Sequence, residues 1–241
     1  MPNYYPIMLD LRGRSALVIG GNGIAAEKAA SLHAAGANVT VMSPEFSEEL
    51  LDLAREQKIT LRYKAYAYGD QDLKGAFVVV ATATYEPELA EAIWREGQEN
   101  GQLINIVDLP ARCNFIVPSI LRRGQLTIAV STEGAAPGIA KRIRHQLEDQ
   151  FPSSYETYLR LGTIARKYLR ENGISYNQRD DFFGEFFNSE ILASLTDHDF
   201  VEALASTVRL LRRYHVDISV TTIIQDLEKA EEKSASNVYS G

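Results

Sequence analysis

The chain has 241 residues, 45% of them hydrophobic and 24% charged, with a formal net charge of −7. It is long enough for a nucleotide domain plus a second unit, and its acidity argues against general nucleic-acid binding. No apolar run approaches the roughly 20 residues that cross a bilayer, MPNYYPIMLDLRGR lacks the basic start and apolar core of a signal peptide, and the single Cys113 excludes an intrachain disulfide, which together predict a reducing, cytoplasmic setting and no membrane partner.

SALVIG (15–20) is a short apolar run ending in glycines, as a buried parallel strand would be. A helix over 24–35 stops at Gly36, and NVTVM (38–42) forms a second strand. The helical pattern returns over 45–57, followed by a third strand at 59–63, a strongly apolar fourth at 77–83, a helix over 86–100 and a fifth strand at 103–107. Strands alternating with helices of this length predict an α/β fold with a Rossmann-type parallel sheet and right-handed crossovers. Beyond Cys113 the pattern changes. A basic turn at Arg122–Gly124 leads to one strand, LTIAV (126–130), and a basic amphipathic helix from Pro137 to Phe151. After 153 only helices are expected, over 153–171, 182–195, 197–214 and 219–233, with a break at 172–181 and a frayed tail. The predicted domains are 1–113, Rossmann-type; 114–151, a small α+β region; and 152–241, all-helical.

VIGGNGIAAEKAA (18–30) joins the first strand to the first helix. Two frames of G-x-G-x-x-A are open. One uses Gly21, Gly23 and Ala26; the other uses Gly20, Asn22 and Ala25, with asparagine at the middle position. In either, small residues let backbone approach a diphosphate, and the helix N-terminus offers unpaired N–H groups and a positive dipole end. With Ile24 these residues form the candidate cofactor turn. The acid that grips an adenosine ribose after the second strand is replaced by Ser43 and Pro44, with Glu45 just beyond. NAD is favoured over NADP because no arginine closely follows Ser43. Thr82, Ala83 and Thr84 follow the fourth strand, where the threonines either meet the nicotinamide-side ribose or cap the next helix.

INIVDLPARCNFIVP (104–118) places Asp108 directly after the fifth strand, at the carboxyl edge where open α/β sheets bind ligands. A partly desolvated aspartate there can serve as general acid or base; the competing role is a turn residue before Pro110. Asn105 is placed to brace the loop, and Cys113 reads as a small apolar residue. Residues 112–145 carry Arg112, Arg122, Arg123, Lys141, Arg142 and Arg144 against Glu133 alone, a basic island suited to a small anionic ligand. His33, His145, His198 and His215 are scattered without metal-ligand spacing, so no structural metal site is expected.

Taken in order, YYPIMLDLRGR, GGNGIAAEK, VTVMSP, ATA, NIVDLP, CNFIVPSILRRGQLTIAVST and EGAAPGIAKRIRHQLE resemble the precorrin-2 dehydrogenase family, whose fold also forms the N-terminal half of siroheme synthases. The likeness covers residues 4–150. It implies NAD-dependent oxidation of precorrin-2 to sirohydrochlorin, with Asp108 catalytic, and a homodimer in which 114–151 is the dimerisation region. LTIAV and GAAPGIA (134–140) would suit such packing. The substrate is a polycarboxylate, so Arg112, Arg123 and Lys141 become candidate docking cations, with Asn105, Ser131 and Thr132 as further candidate contacts. In one branch a phosphorylatable serine matches Thr132. Two alternatives accompany this reading: a bifunctional dehydrogenase and ferrochelatase, with transient Fe²⁺ at Asp108, and a non-catalytic dinucleotide sensor. The chain departs from the family pattern at Asn22, at Leu109 and beyond residue 151.

Overall fold

The computed structural model describes residues 4–82 and 86–239, the side chains of 233–239 excepted. The chain divides into two compact units, one reaching to Val117 and one comprising Pro118–Ser236.

The first unit runs β1 (Ser15–Ile19), α1 (Gly23–Ala34), β2 (Asn38–Ser43), α2 (Glu48–Arg55), β3 (Thr60–Tyr63), β4 (Val78–Ala81), α3 (Pro87–Glu99), β5 (Leu103–Ile106) and a 3₁₀ turn, Pro110–Arg112. The five strands form one sheet in the order β3-β2-β1-β4-β5, and every pairing is parallel. Parallel sheets are covered on both faces, and the two-residue period of a strand sends alternate side chains to opposite sides. Ala16 and Val18 therefore join Val39, Val41, Val78 and Val80 under α1 and α2. Leu17 and Ile19 join Met42, Val79, Ile104 and Ile106 on the other face, under α3.

Between β3 and β4 the crossover is a loop rather than a helix, held by buried polar groups. The Asp72 carboxylate, with a side chain 0% exposed, accepts from Arg62 at 2.6 Å, from Lys64 at 2.7 and 2.9 Å and from the Ala67 N–H at 3.3 Å. Glu96 of α3 accepts from the Tyr66 hydroxyl at 2.6 Å and from the Leu73 N–H at 3.3 Å. Gln102 donates to the carbonyls of Leu73 and Ala76. Burial, aided by the Glu96 carboxylate, pushes the Tyr66 hydroxyl well above its ordinary pKa.

The second unit opens with a hairpin, β6 (Ser119–Arg123) and β7 (Leu126–Val130), paired antiparallel across Gly124–Gln125. Among the described residues six helices follow: α4 (Pro137–Gln150), α5 (Ser154–Glu171), α6 (Tyr176–Phe187), α7 (Ile191–Thr196), α8 (Phe200–Arg213) and α9 (Val220–Tyr239). Their core gathers Tyr158, Leu161, Phe182, Phe186, Ile191 and Leu211. The structure thus places the expected central and C-terminal segments in one compact unit.

Four local expectations are corrected. Residues 119–123 are a strand, not only a basic turn. The break at 172–181 is shorter, because Ser175 and Gln178 form a capping box that starts α6 at Tyr176. The helix expected over 182–195 is split: Asn188 Nδ2 donates to Gly184 O and the Ser189 hydroxyl to Phe186 O, drawing off the last carbonyls of α6. The tail is helical as far as Tyr239.

Removing the buried acid tests the loop network. Asp72→Ala strands two cations and an N–H, and should cost the first unit about 2–3 kcal/mol, less than a fully buried pair because Arg62 and Lys64 are partly solvated. Urea unfolding reads this directly, and a loss below about 0.5 kcal/mol would mean the network does not hold the crossover.

Candidate active site

The carboxyl edge of the sheet collects the candidate residues. At the centre of the strand order, Gly20 leaves β1 at φ +135°, a conformation open to glycine, and its N–H donates to Met42 O at 3.0 Å. Gly21 has no room for a side chain: a Cβ there would lie 1.8 Å from the Glu45 carbonyl oxygen and 2.7 Å from Ser43 Oγ. Its own carbonyl accepts from the Ser47 N–H at 2.7 Å. Asn22 is the N-cap of α1, and its Oδ1 accepts from the Ala25 N–H at 3.0 Å. Ala25 is fully buried against the sheet.

This geometry selects between the two glycine frames. Gly20 supplies the turn, Asn22 the middle position and Ala25 the close helix–sheet contact. Asn22 satisfies one of the N–H groups that open a helix, which leaves those of Gly23 and Ile24 without an intrahelical acceptor. Ile24 is exposed and a Cβ on Gly23 would meet nothing within 4 Å, so this end of α1 is accessible. The arrangement fits a dinucleotide diphosphate. Thr82, buried after β4, lies with Oγ1 3.4 Å from both Ile19 O and Asn22 Oδ1. It thus faces the turn and does not cap α3, whose N-cap is Glu86. Ala83 and Thr84 lie outside the described residues.

Asp108 stands two residues past β5. Ile106 pairs with Ala81, and Ala81 pairs with Ile19, so the end of β5 is about 10 Å from that of β1 at ordinary strand spacing. Asp108 adopts φ +64°, a left-handed conformation that aspartate and asparagine tolerate better than most residues. The expected partial desolvation is corrected: Asp108 is exposed. Nor is its carboxylate spent on capping, because the cap of the 3₁₀ turn is Leu109, and among the described residues no hydrogen bond to the Asp108 side chain is formed.

The free edge of β5 is closed by side chains. Asn114 Oδ1 accepts from the Ile104 N–H at 2.8 Å and its Nδ2 donates to Gln102 O at 2.7 Å. Cys113 Sγ lies 3.2 Å from the Ile106 N and 3.3 Å from its O. Asn105 donates to Phe115 O at 3.0 Å, the bracing role expected of it. Burial pushes the Cys113 thiol above its ordinary pKa, which keeps it protonated and unreactive near neutrality. Sequence reasoning missed Asn114, whose signal is a polar residue inside the otherwise apolar CNFIV, and missed the Ser47 backbone bond, which has none.

The basic stretch is more committed than its composition suggests. Arg112 pairs with Glu91 at 2.6 Å. Arg123 donates to Phe151 O at 2.8 Å, satisfying the C-terminal end of α4. Ser131 Oγ accepts from the Glu133 N–H and Thr132 Oγ1 from the Ala136 N–H, shaping the turn into α4. Arg144 and His145 both meet Glu148, and the His145 contact holds the Glu148 carboxyl below its usual pKa. Lys141 is exposed and has no ion pair among the described residues. Three of the four phenylalanines in DDFFGEFFNSE, Phe182, Phe183 and Phe186, are core; Phe187 is exposed. No group of three or more His, Cys, Asp or Glu among the described residues is arranged to hold a metal, and no helix among them is long and apolar enough to cross a membrane.

Comparisons with known proteins place this geometry. Residues 7–119 match a family described as "Putative NAD(P)-binding", and residues 123–150 match "Sirohaem biosynthesis protein central". A siroheme synthase of Nitrosococcus oceani is 38% identical over 68% of this chain and 34% of its own length. One of Ectopseudomonas mendocina is 37% identical over 80% of this chain and 40% of its own. The chain thus spans well under half of these curated relatives. Among solved structures, "SirC, precorrin-2 dehydrogenase" superposes with a TM-score of 0.71 at 28% identity, covering 85% of this chain and 98% of that one.

The space around the two glycines predicts unequal tolerance within the turn. Gly21→Ala must push the Glu45 carbonyl away and should destabilise the first unit by about 1–3 kcal/mol. Gly23→Ala, in open space on a helix, should be neutral or slightly stabilising. Thermal melts of the two variants check this, and equal shifts would mean that the Glu45 carbonyl is not held against Gly21.

Proposed function

Since the chain belongs to the siroheme synthase N-terminal (precorrin-2 dehydrogenase) family, we propose that it oxidises precorrin-2 to sirohydrochlorin with NAD. The observation that carries this reading is Asp108: an uncommitted carboxylate, held in a left-handed conformation, on the same sheet edge as the glycine turn.

The oxidation removes a hydride and a proton from the tetrapyrrole. A bound nicotinamide supplies the hydride acceptor. The chain's own work is to hold and to take protons. The Gly20–Ile24 turn binds the diphosphate through backbone N–H groups, with Asn22 fixing the first turn of α1. Ser43 and Pro44 flank the adenosine end and Thr82 the opposite side of the turn. The Asp108 carboxylate receives the proton released as the substrate is oxidised, and a general base so positioned contributes about 10²–10⁴ in rate. Asn105 and Asn114 keep Asp108 in place by fixing the segment that follows it.

Substrate carboxylates are met from the basic stretch, where Lys141 is the docking cation without a competing partner; Arg112 and Arg123 would have to exchange theirs. We also propose a cytoplasmic homodimer. Exposed Ile139 and Ile143, one turn apart on α4, offer an apolar stripe for it.

Protein mixed with precorrin-2 and NAD should give sirohydrochlorin and NADH absorbance, and Fe²⁺ or Co²⁺ added afterwards tests metal insertion in the same cuvette. Asp108→Asn, which preserves the backbone preference, should lower kcat by at least about 100-fold with an unchanged melt. A variant turning over at the parent rate would end the assignment of Asp108. Lys141→Glu should raise the KM for the tetrapyrrole about fivefold and leave that for NAD alone, since an exposed charged contact contributes modestly. Equal effects on both KM values would take Lys141 out of substrate docking.

A further inference from the structure

Resting on the dehydrogenase reading above, we infer that Glu45 sets the choice between NAD and NADP by holding a carboxylate at the adenosine ribose, where it accepts from the 2′-hydroxyl and repels a 2′-phosphate. The second strand ends at Ser43 with no acid of its own. Ser43 Oγ is turned toward Gly21, against the position a Cβ would take there, and Pro44 has no donor or acceptor in its side chain. Glu45 is the first charged side chain beyond the strand, and it is exposed.

Its backbone is not free to move. The Glu45 carbonyl abuts Gly21 and the Ser47 N–H is bonded to Gly21 O. Between them, Phe46 packs into the core and sets its ring edge-on to Tyr63 with centroids 4.8 Å apart. Glu45 is therefore displayed from a backbone segment fastened to the cofactor turn itself, which limits the ordering its side chain must undergo on binding.

The surrounding cations reinforce the choice. NADP sites need an arginine or lysine for the 2′-phosphate. Arg62 and Lys64 of the neighbouring β3 edge are bound to Asp72, and Arg55 of α2 is bound to Glu48 and Asp52. Lys28 of α1 pairs with Glu27. A 2′-phosphate would thus meet the Glu45 carboxylate with no uncommitted counter-charge on these elements.

The test is direct binding of reduced dinucleotides to the full chain, followed by their fluorescence. The parent should bind NADH at least about tenfold more tightly than NADPH, the scale of one charge-assisted hydrogen bond. Glu45→Gln should weaken NADH binding and narrow the ratio several-fold, while Glu45→Arg should reverse the preference. Glu45→Asp, which keeps the charge, should retain it. Because Glu45 is exposed, parent-like melts are expected throughout. Equal parent affinities or an unchanged ratio in Glu45→Gln would overturn the role of Glu45 while leaving the dehydrogenase reading intact. A parent that binds neither dinucleotide would overturn both.

Discussion

The nucleotide half of this protein depends on one close backbone approach, at Gly21. A residue without a Cβ lets the Glu45 carbonyl sit against its Cα, and its carbonyl then takes the Ser47 N–H at 2.7 Å. That contact ties the β1–α1 turn to the β2–α2 segment. It fixes where α1 begins, hence where its unpaired N–H groups lie, and it fixes the segment carrying Ser43, Pro44 and Glu45. A Cβ here would force the two segments apart.

Periodicity made the first unit legible. The strands are short apolar runs bounded by glycine, and their order follows from right-handed crossovers; the structure differs from the expected bounds by one to three residues at most ends. What periodicity does not encode is a crossover without a helix. The β3–β4 loop is held by Asp72, Glu96 and Gln102, which are far apart in sequence and look like ordinary surface polar residues until the fold buries them. The same limit applies to β5, whose edge is closed by Asn114 and Cys113 rather than by another strand.

The second unit shows the opposite balance. β6 was hidden because SILRR does not alternate: Arg122 is exposed, whereas Arg123 turns to the end of α4. Positive charge in sequence is therefore a poor measure of positive charge available to a ligand. Ser175 and Gln178, by contrast, spell a capping box three residues apart, a local signal that outweighs the polar composition around it. Of the candidate site, the turn, Asp108 and the bracing by Asn105 were readable, since each is tied to a strand end. The commitments of Arg112 and Arg123 were not, because partners such as Glu91 and the Phe151 carbonyl are set by tertiary packing.

Charge divides the work between the segments. A dinucleotide diphosphate, a polycarboxylate substrate and the Asp108 carboxylate are all anionic, and so is the protein. In the nucleotide unit the lysines and arginines are engaged by acids, aromatic rings or side-chain amides, so a diphosphate bound there as proposed would rely on backbone dipoles, which carry no mobile countercharge to be competed away. Under the proposed reading, substrate carboxylates would draw on the stretch around α4, where Lys141 is exposed. Asp108 is exposed just past β5, and among the described residues its carboxylate accepts no hydrogen bond, so nothing in the first unit competes for it. In the proposed reaction that availability, rather than burial, is what would let the carboxylate meet the substrate's proton.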